Sequence, residues 1–326
     1  MFCKVRNITY RHQSEYNLDM RREGQSYSIT LTPDGSPHDA SARKWLEEMR
    51  WPDGERHCPH CGSLKTKTVP NENPMPYHCG DCRKYFSFQT GTVMQSSRVG
   101  MQKWVIAMYL MSTSLKGVSS MKLHRDLGVT QKTAWMLAQK IRQGWLEGQD
   151  DSDKLDGVVE VDDPYIGGKA KNMHAKDRKA RKQWSNKETV VGILERDGDI
   201  RVAHIEKQDA PDMVRENVCP DNAVLMTDAA VVYKHLGAEY DHHAVNHSVG
   251  EYVRGMAHTN GIESFWATLK RGYKGTYHKM SPKHLKRYIT EFAGRHNVRD
   301  FDTIVQMELL AKGFVGKRLR YKDLIK

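Results

Sequence analysis

The chain has 326 residues, enough for two or three domains, and carries a formal net charge of +11 from 51 basic and 40 acidic side chains. A basic excess of this size favours a polyanionic partner, usually nucleic acid, although a soluble protein can also simply be basic. No apolar run approaches the ~18 residues that cross a bilayer, and Met1 to Tyr10 lacks the apolar centre of a signal peptide, so the expectation is a cytoplasmic, nucleoid-associated protein without a membrane partner.

Residues 1–36 are polar and aperiodic, with the turn Pro33-Asp34-Gly35 near their end. They read as a flexible extension, with or without a short hairpin. Ser41 to Met49 reads as a short helix stopped by Trp51-Pro52-Asp53-Gly54. It leads into two cysteine pairs, Cys58-Pro59-His60-Cys61 and Cys79-Gly80-Asp81-Cys82, separated by seventeen residues. Two residues between ligands let both thiolates of a knuckle reach one ion, and two knuckles complete the tetrahedron that Zn²⁺ prefers. A redox pair or buried free thiols would be the alternative, but two pairs at ribbon spacing argue against it. Four thiolates leave no open position, so this zinc is structural. Tyr85, Phe86 and Phe88 would cover the small sheet of such a ribbon, and His57, His60 and His78 read as surface histidines. The remaining cysteines, Cys3 and Cys219, are isolated; the pattern is no disulfide framework and points to a reducing compartment.

Residues 101–148 are helical, with apolar positions three to four apart: Trp104, Val105, Met108, Tyr109, Leu123, Leu127, Leu137 and Ile141. Ser119 can cap one helix, Gly128 suits a left-handed turn, and Thr130 can cap the next. The pattern fits a helix-turn-helix whose second helix offers Gln131, Lys132 and Trp135 to DNA. Any helical hairpin could share it; its place directly after a zinc ribbon favours the DNA-binding reading.

An acidic link of Asp150, Asp151, Asp153 and Asp156 closes that module, and the character changes. Val158 to Asp162 reads as a buried strand. Glu188 to Glu195 and Ile200 to Ile205 read as two more, joined by the Asp197-Gly198 hairpin signal. A helix follows Pro211, then a short strand at Ala223 to Met226, a helix from Ala229 to Leu236 stopped by Gly237, and a fifth strand at Tyr240 to Val245. From Gly261 onward the chain is mostly helical. This order predicts an α/β domain with a sheet of mixed direction.

Asp162 ends the first of these strands and Asp228 follows the fourth, which puts both at a sheet rim, where sites form. Glu263 lies on an amphipathic helix and shares a face with Lys270, seven residues on. Taken singly, a strand-end Asp is often a turn residue, and a helical Glu near a Lys is usually a solvated face. Taken together, three carboxylates from distant sequence could converge if that helix face meets the rim. Carboxylates so close repel unless cations neutralise them. Two Mg²⁺ (or Mn²⁺) ions do so and suit in-line phosphoryl displacement, with Lys270 placed to hold a phosphate.

At this point the residues resemble a known family: bacterial insertion-sequence transposases of the Asp-Asp-Glu type with an N-terminal zinc ribbon (ISXO-type). The resemblance runs from about Ala42 to Arg299. It rests on Arg50-Trp51-Pro52-Asp53-Gly54, Cys58-Pro59-His60-Cys61-Gly62, Val159-Glu160-Val161-Asp162 with Tyr165-Ile166-Gly167-Gly168-Lys169, Thr227-Asp228 and Val245-Asn246-His247-Ser248. Asn260-Gly261-Ile262-Glu263-Ser264-Phe265-Trp266, Leu269-Lys270-Arg271, Gly275-Thr276-Tyr277-His278 and Arg287-Tyr288 add to it. It implies a ribonuclease H-like catalytic domain, binding to the terminal inverted repeats of a mobile element, and cleavage and strand transfer into target DNA. By motif, Asp162, Asp228 and Glu263 would be the metal-binding triad and Lys270 its basic partner. Some relatives carry Asn in the third position, so Asn260 stands beside Glu263. Where the family usually reads Asp-Glu-Thr-Tyr, this chain has Asp162-Asp163-Pro164-Tyr165, and proline restricts the backbone just after the first carboxylate. Synapsis of two ends would ask for a homodimer or larger assembly. An inactive relative acting as a DNA-binding regulator, or a structure-selective nuclease, would share many of these features.

Residues 169–187 hold eight Lys or Arg and one acid, Asp177. They form a solvated loop or a DNA-tracking arm through Lys179, Arg181 and Lys182; Arg271 is a further DNA candidate, and Lys283, Lys286, Arg287 and Arg295 make a second basic face. The expected architecture is therefore multidomain: an extension over 1–36, a small four-cysteine zinc ribbon with its lead-in helix over 37–98, a helix-turn-helix module over 99–150, an α/β ribonuclease H-like mixed-sheet domain over 151–312, and a basic tail over 313–326.

Overall fold

The computed structural model describes residues 17–22, 25–30, 38–146, 154–167, 187–228, 230–245 and 258–325. Lys179, Arg181 and Lys182, Asp150 to Asp153, and Asn246 to Ser248 lie outside the described residues. The chain divides into two compact units. One comprises Met1–Ser114, Val118–Gly148 and Phe301–Lys326; the other comprises Leu115–Gly117 and Gln149–Asp300.

In chain order the elements of the first stretch are β1 (Asn17–Arg22), β2 (Gln25–Thr30), α1 (His38–Arg50), β3 (Thr66–Thr68), β4 (Tyr77–Cys79), β5 (Tyr85–Phe86), α2 (Met101–Thr113), α3 (Ser120–Leu127) and α4 (Gln131–Trp145). Then come β6 (Leu155–Asp162), β7 (Tyr165–Gly167), β8 (Lys187–Glu195), β9 (Ile200–His204), α5 (Ala210–Asn217), β10 (Val218–Asp228) and β11 (Asp241–Val245). Helices α6 (Asn260–Gly272), α7 (Pro282–Asn297), α8 (Thr303–Lys312) and α9 (Tyr321–Ile325) complete the chain.

In the first unit, β1 and β2 pair antiparallel, and β3, β4 and β5 form a small antiparallel sheet in that order. Helix α1 buries Ala42, Trp45, Leu46 and Met49, one stripe at helical spacing. Helix α2 is apolar nearly all round, and Trp104 to Met108 are wholly buried. Local sequence sets the α3–α4 junction. The Ser119 side chain accepts from Lys122 N, Gly128 takes φ +59°, and the Thr130 side chain accepts from Thr133 N. The left-handed turn is open to glycine without the Cβ penalty. The end of the chain returns to this core: Met307, Leu310 and Phe314 pack in one cluster with Trp45, Trp104, Leu123 and Ile141. Phe314 meets Trp104 edge-on at 6.0 Å. Each such side chain, once buried, contributes about 1.5–3 kcal/mol.

The second unit is a mixed sheet in the order β11-β10-β6-β8-β7, with β9 also paired to β8. Strands β6, β10 and β11 run parallel to one another, and β8 runs antiparallel to β6, β7 and β9. Side chains alternate across a strand, and both faces are covered. Val159, Val161, Val191, Ile193, Ala223 and Leu225 pack with Met213 and Val214 of α5 and with Tyr233 and Leu236. Val190 and Leu194 face the other way, into Ile262, Phe265, Trp266 and Leu269 of α6 and Ile289 and Phe292 of α7. Contact between α6 and the sheet is close. A Cβ on Gly192 of β8 would come within 2.5 Å of the Trp266 ring, so only glycine lets the helix sit at this distance. The helix expected over Ala229 to Leu236 is a 3-10 helix at Val231–Ala238. Its β-branched start, Val231 and Val232, disfavours a regular α-turn.

Candidate active site and zinc centre

Strand parity decides which carboxylates can meet. Val159 and Val161 face α5, so Glu160 and Asp162 face the α6 side. On β10, Ala223 and Leu225 face α5, which turns Met226 and Asp228 to the α6 side as well. The parallel register sets Met226 opposite Glu160 and Thr227 opposite Val161. Asp162 and Asp228 are the next residues on those two strands, both at the carboxyl ends. The structure thus brings these two together at the rim, on one face.

Their electrostatics agree. The Asp162 carboxyl is pushed up to about 6, first by burial, then by the charges of Asp163 and Asp228, with Lys270 acting in the opposite sense. Glu263 sits in the first turn of α6, exposed, and its carboxylate accepts from Thr259 Oγ1 at 3.1 Å. Lys270, on the last turn of the same helix, is also exposed. Glu263 is not among the charges that act most strongly on Asp162. Among the described residues, only the four cysteines have three or more ligating atoms within 4.8 Å of one another, so the three carboxylates are not drawn together that tightly. Asn260 opens α6 and is exposed.

Two residues beside this rim escape a motif reading. Asp163 is buried; it accepts from Lys207 Nζ and Tyr233 OH, each at 2.7 Å, and donates its own N–H to Asp162 Oδ1 at 2.8 Å. Burial alone would lower the Lys207 pKa, but the hydrogen bond and charge of Asp163, with the charge of Asp228, raise it. Glu160 is wholly buried and ties three segments together. It accepts from Ile262 N at the start of α6 at 2.9 Å and from Arg196 Nε at 2.8 Å, with His258 Nδ1 at 3.5 Å. Arg196 also donates to His258 O at 2.7 Å. The entry to the helix that bears Glu263 is therefore fastened to the strand that ends in Asp162. The one sequence signal for this was an acid inside the apolar run Val159-Glu160-Val161.

The zinc centre is built on the β3–β5 sheet. Cys58 and Cys82 sulfurs lie 3.6 Å apart, and Cys61 and Cys79 sulfurs 3.7 Å apart. A tetrahedron with Zn–S bonds of about 2.3 Å has edges of roughly 3.8 Å, so the donors fit a structural Zn²⁺. Backbone N–H groups of Cys82 and Asp81 lower the Cys79 thiol to about 7, favouring the thiolate that binds metal. Phe86 and Phe88 are buried over the sheet, whereas Tyr85 is exposed and stacks edge-on against His78 at 4.7 Å. His57 and His60 are exposed; His78 is half-buried.

Comparison with known proteins gives two separate matches. Residues 154–297 match the ISXO2-like transposase domain, and residues 37–85 match the transposase zinc-ribbon domain. The two matches support a transposase that carries a zinc ribbon. It is also 26% identical over 276 residues to an uncharacterized protein in transposable element ISH50 of Halobacterium salinarum, a match that covers 79% of this chain and 90% of that one. No described helix of this transposase is long and apolar enough to cross a membrane.

The residues expected to touch DNA are placed as follows. Gln131 is exposed at the start of α4, and its amide donates to Ser120 Oγ at 3.0 Å. Lys132 is exposed but lies over the Tyr321 ring at 4.4 Å. Trp135 is half-buried rather than free. Arg271 is exposed and donates to Thr268 Oγ1 at 2.9 Å.

Proposed function

We propose that this transposase binds the terminal inverted repeats of its element and catalyses divalent-metal-dependent strand cleavage and transfer at Asp162, Asp228 and Glu263. The observation that carries this reading is the pairing of Asp162 and Asp228 at the carboxyl ends of neighbouring parallel strands, on the face covered by the helix that bears Glu263 and Lys270. The mixed sheet, with its aspartates at the rim, supports a ribonuclease H-like domain. Hard oxygen donors and a crowded negative site fit Mg²⁺ or Mn²⁺ rather than zinc. Asp162, Asp228 and Glu263 would hold the metal, with Asn260 as the alternative third residue. When bound, it would lower the pKa of an attacking hydroxyl and stabilise the leaving oxygen of an in-line phosphoryl displacement.

The protein's own groups do the rest. Lys270 neutralises a DNA phosphate beside the carboxylates, and Asp163, held by Lys207 and Tyr233, fixes the backbone after Asp162. Helix α4 presents Gln131 and Lys132 to DNA as the second helix of a helix-turn-helix, and the zinc ribbon supports end recognition. Lys179, Arg181, Lys182 and Arg271 add contacts to the phosphate backbone. The assembly on paired ends is a dimer or larger.

The test uses Asp162→Asn in the full chain. The variant is expected to bind a duplex carrying the terminal repeat like the wild type and to give no cleavage in Mg²⁺. Retained cleavage removes Asp162 from the metal site. Wild-type protein that binds this duplex no better than a scrambled one refutes end recognition.

A further inference from the structure

Beside α4 in the first unit lies a recess of about 430 Å³ with a strongly basic lining. Three segments wall it. Helix α4 contributes Lys132, Met136 and Lys140, spaced four apart on one stripe. The turn before α2 contributes Gln95 to Val99, including Arg98, and the chain end contributes Arg318 to Tyr321. Five of the lining side chains are cations (Arg98, Lys132, Lys140, Arg318 and Arg320), and none is a carboxylate.

Most of this charge is uncompensated by the groups that face it. Arg320 pairs with Asp323 at 2.9 Å. Lys132 rests on the Tyr321 ring, and the Lys140 ammonium meets the Gln95 carbonyl at 3.5 Å and lies 5.9 Å from the centroid of the Trp104 ring. Burial and the charge of Arg318 depress the Lys140 pKa, as expected where two cations face one another. The walls are held in place. Ser97 Oγ accepts from Trp104 Nε1 at 3.1 Å, and Leu319 and Leu324 are buried beneath the chain end. Cations held together on anchored walls, with no carboxylate among the lining residues and Asp323 engaged by Arg320 alone of the five, make a site for an anion.

We propose that this recess binds backbone phosphate of the DNA that α4 engages, so that Arg98, Lys140 and Arg318 act with the helix pair as one DNA-binding surface. Phosphate clamps beside a recognition helix set its register on the duplex. The chain end thereby becomes part of the DNA interface. This inference rests on the DNA-binding reading above.

The experiment measures binding of the full-length, zinc-loaded protein to two duplexes, one with the terminal repeat flanking the gene and one scrambled, across a salt series. Wild type is compared with an Arg98→Ala/Arg318→Ala pair and an Arg98→Lys/Arg318→Lys pair; both positions are exposed. The alanine pair is expected to bind both duplexes on the order of tenfold more weakly, with a salt slope shallower by about 1–2. The lysine pair should recover most of both. An alanine pair with wild-type affinity and slope overturns the proposal, as does a loss that does not vary with salt. Inorganic pyrophosphate separates the sources of phosphate: if the alanine pair loses pyrophosphate binding while duplex binding is unchanged, the recess serves a free anion and the proposal falls. Wild type that binds neither duplex defeats the DNA-binding reading itself, whereas a normal wild type with an unaffected alanine pair defeats only the recess.

Discussion

Removing Glu160 should loosen the helix that carries Glu263, and its size can be worked from the contacts. The Glu160 carboxylate is wholly buried and accepts from Ile262 N and from Arg196 Nε, whose side chain is only 18% exposed. Glu160→Ala leaves an amide N–H without its acceptor and a guanidinium that keeps only its bonds to His258. Truncating one partner of a buried ion pair costs about 3–5 kcal/mol. Glu160→Gln keeps the shape and one acceptor but turns an NH₂ towards a donor, for a loss of about 1.5–3 kcal/mol. With two compact units, a single melting curve mixes transitions, so the assay is native-state hydrogen exchange resolved by segment. The Ile262 amide and the first turn of α6 are expected to lose most protection, with α1 and α2 unchanged. Metal-dependent cleavage should fall further than the folded fraction does, because the same contact sets the entry of α6. Glu160→Ala with a loss under about 1 kcal/mol, or with unchanged exchange at Ile262, would refute the reasoning.

Three further outcomes are expected. Asp162 titrates at about 6 in the fold against an ordinary 3.8, so the folded state holds the extra proton between these values. The resulting stability is present below about 4 and lost as pH rises through about 6. Without divalent ions, Asp162→Asn should therefore be more stable than wild type at pH 8, by up to about 3 kcal/mol, with the gap closing between pH 6 and 4 in denaturant titrations; a pH-independent gap would contradict this. Cys79→Ser, or strong chelation, should release the zinc and unfold the ribbon, read as lost metal content and lost amide protection over Thr66 to Phe86; unchanged zinc content would exclude the four-cysteine site. Gly192→Ala should destabilise the second unit by about 1–3 kcal/mol, because its methyl meets the Trp266 ring; exchange protection equal to wild type in β8 would show that α6 can move away at little cost.

Short-range rules carried far along this chain. Cysteine spacing located the metal ribbon, and the Ser119, Gly128 and Thr130 signals located the α3–α4 turn. Alternation and strand-end placement located Asp162 and Asp228, the last residues of β6 and β10. Each depends on a few neighbouring residues, so a linear pattern suffices. Glu160, Asp163, Lys207 and Tyr233 were not legible in this way. Glu160 is an acid buried at a strand position, and its partners at positions 196, 258 and 262 come from other elements.

The sequence by itself determined the kind of element at most positions, the zinc chemistry and the two carboxylates at the sheet rim, because local propensity, side-chain alternation and ligand spacing act within a turn or a strand. Only the tertiary structure decided which of those elements share a core. It brought Met307, Leu310 and Phe314 back onto Trp104, laid Lys132 over Tyr321 and fastened α6 to β6 through Glu160. Those choices follow from burial of apolar surface and satisfaction of buried polar groups across the whole chain, which no short stretch of residues encodes.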